Sequence, residues 1–102
     1  MSLNIELQTE TGKRLDNAID VHNFLILLAD KAQIENSCCL RFVDPYGNTI
    51  FNRIQLYQFV KEIDELINIT ENPEQKEVLA RVKSLAERGQ KEPHLYIKII
   101  GD

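Results

Sequence analysis

Two adjacent cysteines, Cys38 and Cys39, and two histidines, His22 and His94, are the most reactive side chains of this 102-residue chain. Nucleophilic catalysis needs a thiol or hydroxyl beside an imidazole, with a third group to orient it. Cys38 or Cys39 could meet His94 if their segments are neighbouring strands, and no other pairing in the chain looks enzyme-like. Nothing local activates either thiol. Zinc sites space their cysteines two to four apart and need four ligands. Adjacent cysteines and two distant histidines do not fit that pattern. A disulfide between neighbours closes a strained ring. We therefore expect two reduced thiols, one buried as a small hydrophobe, and no metal or other cofactor.

Carboxylates are the next candidates. Glu62, Asp64 and Glu65 cluster within four residues. Paired carboxylates can do general acid–base work, but on an amphipathic helix such a run is expected to be a solvated face. Asp44 is better explained by turn chemistry. Asp102 adds negative charge at the chain end, yet calcium needs more oxygens in one loop. The four glycines, at positions 12, 47, 89 and 101, are too scattered for a phosphate-cradling loop. No catalytic signature is found, so we assign no catalytic residue.

The elements that position these groups follow from hydrophobic spacing. Leu3, Ile5 and Leu7 alternate with Asn4, Glu6 and Gln8, a half-buried strand that ends at Glu10-Thr11-Gly12-Lys13. Residues 14–20 are polar and read neither way. Asp20 can cap a helix over about 21–33, with Val21, Phe24, Leu25 and Leu28 as its stripe. Ile26 and Leu27 widen that stripe beyond what one core contact uses. Cys38-Cys39-Leu40-Arg41-Phe42-Val43 reads as a strand. Asp44-Pro45-Tyr46-Gly47-Asn48 is a turn, and Thr49-Ile50-Phe51 returns as the second arm of a hairpin. Asn52-Arg53-Ile54-Gln55 opens a helix over about 53–68. Its apolar side carries Leu56, Phe59, Val60, Ile63 and Ile67, with Gln58, Lys61, Glu62 and Glu65 toward water. Asn72-Pro73-Glu74 opens another helix, with Val78, Leu79, Val82, Leu85 and Ala86 inside. Glu77 with Arg81 and Lys83 with Glu87 are spaced for ion pairs, and Gly89 is the expected stop. His94–Ile100 is β-branched and aromatic, the last strand.

The order β-α-β-β-α-α-β predicts an α+β fold. It has a mainly antiparallel four-stranded sheet, with helices on one face. A ferredoxin-like plait is one arrangement that suits it, other strand orders being open. The whole chain, 1–102, reads as a single globular domain. With 43% hydrophobic and 27% charged residues, it is neither a disordered tail nor a disulfide scaffold. The longest apolar run, Phe24–Ala29, is far short of the ~20 residues that span a bilayer. No signal core stands near the start, so the expectation is a cytoplasmic protein without a membrane segment.

Charge narrows the partners. Twelve Lys and Arg against sixteen Asp and Glu give a net charge of −4. Neither half is basic, which argues against nucleic-acid binding through a broad cationic surface. If Leu95, Ile97 and Ile99 point into the core, Tyr96, Lys98 and Ile100 point away. Arg41 and Val43 would join them if the hairpin lay nearby. Arg41, Val43, Tyr96, Lys98 and Ile100 are the candidate partner-binding set, mixed in the manner of contact surfaces. The function expected is a small binding or regulatory module acting through protein contacts, with a protein partner or as a homodimer, and not an enzyme. An immunity-like or inhibitor protein covering a basic partner fits the same size and acidity. A small thiol enzyme using Cys38 or Cys39 with His94 is the opposing class.

Overall fold

The computed structural model describes residues 2–21, 25 and 39–101. Among the described residues, four strands and the two long helices that follow the third strand make an α+β fold. β1 (Leu3–Thr9) and β2 (Arg14–Asp20) form a hairpin. Gly12, at φ 88°, sits in the left-handed region that its turn requires. β3 (Asn48–Phe51) is followed by α1 (Arg53–Ile69), α2 (Pro73–Lys91) and β4 (Leu95–Gly101). The sheet order is β2-β1-β4-β3, and every pairing is antiparallel. Placing β1 and β4 at the centre unites the two segments with the most regular apolar alternation.

β2 is the strand that spacing did not reveal. Its inward positions are Asp16, Ala18 and Asp20, opposite Leu7, Ile5 and Leu3. Two of those three are carboxylates, so no period-two apolar signal exists. Both are satisfied. Asp16 meets Arg88 of α2 at 3.0 Å and Arg81 at 3.8 Å. Asp20 is fully buried and accepts the Leu25 N–H at 2.8 Å.

The strand expected over 38–43 does not form among the described residues. Leu40–Phe42 is a 3-10 turn, and β3 pairs with β4 instead of with that segment. The Cys39 and Leu40 N–H groups go to a side chain, the Glu62 carboxylate, and not to a ladder. The helix expected over 21–33 lies outside the described residues except at two positions. Leu25 is buried as expected, whereas Val21 is exposed.

Both later helices start where their caps stand. Asn52 and Gln55 exchange two 2.9 Å hydrogen bonds in a capping box. Asn72 accepts from Glu74 and Gln75, with Pro73 in the first turn. α2 runs past Gly89 to Lys91. A Cβ on Gly89 would lie 2.6 Å from Leu56 Cδ1, so this glycine lets α2 approach α1 and does not end the helix. Helix ion pairs also differ from the i,i+4 expectation. Arg81 turns to Asp16, and Lys83 to Asp64 on α1 at 2.7 Å.

Both helices lie on one side of the sheet: α2 over β2, β1 and β4, and α1 over β3 and β4. Leu3, Ile5, Leu7, Ile97 and Ile99 meet Leu56, Phe59, Ile63, Leu79 and Val82 there, all fully buried. Each such side chain contributes about 1.5–3 kcal/mol on burial. The inward odd-numbered positions of β1 and β4 leave the even-numbered ones for the opposite face.

Candidate functional site

The face turned away from α1 and α2 is laid out by the strand register. One row runs Ile19, Asn4, Ile100, Asn48, and the next Asn17, Glu6, Lys98, Ile50. A third runs Arg14, Gln8, Tyr96. Tyr96, Lys98 and Ile100 are thus together on this face, each half-buried. Ile19 and Ile50 flank them at 56% and 58% exposure.

Glu6 lies at the centre of the face and is only 9% exposed. Its carboxylate accepts from Asn4 Nδ2 at 2.9 Å and Gln8 Nε2 at 2.7 Å, with Arg14 Nη1 at 3.6 Å. Asn17 Nδ2 extends the network to Asn4 Oδ1 at 3.1 Å. Lys98 stands directly opposite Glu6 in the ladder, yet no carboxylate lies within 4 Å of its amine among the described residues.

Arg41 and Val43 are not brought to this face. Val43 is buried in the core cluster. Arg41 sits in the 3-10 turn with its guanidinium 4.8 Å from the Phe42 ring centre. Their place on this face depends on a strand over 38–43 lying near β4, and that strand does not form among the described residues. The turn that replaces that strand reverses where Val43 points.

The thiol and imidazole engage separate partners. Cys39 is buried, and its thiol donates to the Gln55 carbonyl at 3.5 Å. Cys38 and His22 lie outside the described residues. His94 is exposed, takes a left-handed φ of 66°, and places Nδ1 3.1 Å from Glu10 Oε2. Among the described residues no cluster of three or more His, Cys, Asp or Glu could hold a metal ion.

The acidic cluster divides by burial. Glu62, expected in water, is 1% exposed. It accepts the N–H groups of Cys39 at 3.2 Å and Leu40 at 2.9 Å, and the Gln58 amide at 3.2 Å. It is an anchor for the 3-10 turn. Asp64 takes the Lys83 ammonium, and Glu65 is exposed. Asp44 does turn chemistry, accepting the Tyr46 N–H at 2.9 Å. That turn is moored to β4 by the Gly101 N–H donating to the Gly47 carbonyl at 2.6 Å.

The sheet edge at β2 is guarded. The Asn17 N–H donates to Asp16 Oδ1 at 2.8 Å, and the Asn17 carbonyl accepts Arg81 Nη2 at 2.9 Å. Side chains thus occupy backbone groups that an added strand would need. At the other end of the sheet, a shallow groove of ≈ 200 Å³ links Tyr96 to Arg53 and Ile54 at the start of α1. Ile54 is 75% exposed.

Sequence reasoning missed Arg14, Ile19, Ile50 and Ile54 as members of this surface. The alternation of β1 already turned Asn4, Glu6 and Gln8 away from the core. No local signal says that β4 lies beside β1, because that pairing joins the two ends of the described chain. No helix among the described residues is long and apolar enough to cross a membrane. The chain matches no protein-family model, no curated protein and no solved structure.

Proposed function

We propose that this chain is a protein-contact module whose working surface is the sheet face opposite α1 and α2. One observation carries the reading. Tyr96, Lys98 and Ile100 share that face with Ile50 and Ile19, two branched aliphatics that are more than half exposed. Aliphatic exposure of this kind, mixed with an aromatic ring and a cation, favours contact with another chain. The face is favoured over the β2 edge because Asp16 and Arg81 already occupy backbone groups of that edge. The partner is another protein, a second copy of this chain included.

Site-specific photo-crosslinking tests this reading. A photoreactive phenylalanine replaces Tyr96 or Ile50 in the full chain, and Glu71 or Lys76 as controls in and beyond the α1–α2 connection. Discrete protein adducts at positions 96 and 50, and none at 71 and 76, are expected. Adducts at the controls alone, or at no position, overturn the proposal.

A further inference from the structure

Resting on that reading of the face, we infer that its partner is an acidic, extended segment of another protein, running along β4 toward the start of α1. The charges on this surface are sorted by engagement. Its central acid, Glu6, is nearly buried beneath Asn4, Gln8 and Arg14. Glu10, at the rim, sits against His94. Arg14 is taken up by Glu6, whereas two further cations have no acidic partner among the described residues. Neither Lys98 nor Arg53 has a carboxylate within 4 Å among the described residues. In a chain of net charge −4, the described rows and groove of this face carry Arg14, Lys98 and Arg53 against Glu6 and Glu10. Complementary potential selects an acidic partner and suppresses a basic one.

Size selects a segment and not a folded domain. Four strands about 4.8 Å apart and three side-chain rows about 7 Å apart make a platform of roughly 400 Å². A standard interface between folded proteins takes ~800 Å² from each partner. An extended peptide fits the smaller area, with apolar side chains on Ile100, Ile50, Tyr96 and Ile54 and carboxylates between them for Lys98 and Arg53. Tyr96 belongs both to the face and to the groove beside Arg53 and Ile54, so the track is continuous. Single-stranded nucleic acid offers the same charge, but binds its platforms by stacking bases on aromatic rings. Tyr96 is the one ring on the described rows of this face; the apolar remainder is aliphatic.

The test is an amide-shift titration of the full ¹⁵N-labelled chain with three probes. These are an end-blocked heptapeptide Glu-Leu-Glu-Phe-Glu-Leu-Glu, its Lys counterpart, and an oligouridylate. The acidic peptide is expected to shift the amides of Ile50, Ile54, Tyr96, Lys98 and Ile100, with affinity falling as salt rises. Lys98→Glu with Arg53→Glu should weaken it about tenfold or more, as two ion pairs of ordinary strength would. Lys98→Met alone, which keeps the aliphatic stem, should weaken it less. Equal or stronger shifts of the same amides by the Lys peptide or the oligouridylate overturn the acidic partner while leaving the face a contact surface. So does an acidic peptide that shifts none of them. A face silent to all three probes and without crosslinks at positions 96 and 50 removes the contact surface itself.

Discussion

Glu62 Oε1 accepts the Leu40 backbone N–H at 2.9 Å, tying the middle of α1 to a turn 22 residues earlier in the chain. Because both groups are buried, the bond is worth most when its loss would strand a donor. Glu62→Ala leaves the Cys39 and Leu40 N–H groups without this acceptor, and an orphaned buried donor costs about 1–3 kcal/mol. We expect urea denaturation to show a loss in that range, with Glu62→Gln, which keeps one acceptor oxygen, losing less. An unchanged midpoint for Glu62→Ala would mean that water replaces the carboxylate.

Gly89 tests the contact between α1 and α2. On propensity alone, Gly89→Ala should stabilise the helix by about 1 kcal/mol. The added methyl would press on Leu56 Cδ1 at 2.6 Å and Leu7 Cδ1 at 3.4 Å. Both leucines are fully buried, and overpacking a filled core costs about 1–3 kcal/mol. The expected net result is destabilisation, and in a double-mutant cycle the cost of Gly89→Ala should shrink in a Leu56→Ala background, although Leu56→Ala is itself destabilising. Thermal melts of the single and double variants measure it; a raised melting temperature for Gly89→Ala alone would contradict the packing account.

The Asn72 cap should behave independently of the core. Its side chain accepts two N–H groups in the first turn of α2. Asn72→Ala is expected to cost about 1 kcal/mol, and Asn72→Asp close to nothing. Equal losses for both variants would assign the effect to something other than the cap.

Lys83 provides a pH signature. Its ammonium donates to Asp64, and that hydrogen bond chiefly holds its pKa above the ordinary 10.5. Partial desolvation works against the shift, and the charges of Asp64 and Glu87 add to it. Protonated Lys83 is the bonded form, so its stabilising contribution is complete below pH 10.5 and fades as pH rises through the higher folded value. In an NMR titration Asp64→Asn should bring Lys83 back toward 10.5. A titration that Asp64→Asn leaves in place would show that the bond does not form in solution.

How much of this was legible depended on whether a signal was local. The caps at Asn52 and Asn72, the stripes Leu56–Ile63 and Leu79–Ala86, and the alternation of β1 and β4 all lie within a few turns of backbone, where period and chemistry act directly. With them came the α+β class, the one-sided helices, and the outward set Tyr96, Lys98 and Ile100. Three features needed the tertiary structure. Asp16 can point inward on β2 only because Arg81 and Arg88 receive it. Glu62 can be buried only because a distant turn offers two N–H groups. Gly89 continues a helix that it would ordinarily end because Leu56 comes up against it. In each case a partner far along the chain offsets a local preference of about 1 kcal/mol or more, and no window of sequence contains both halves of the interaction.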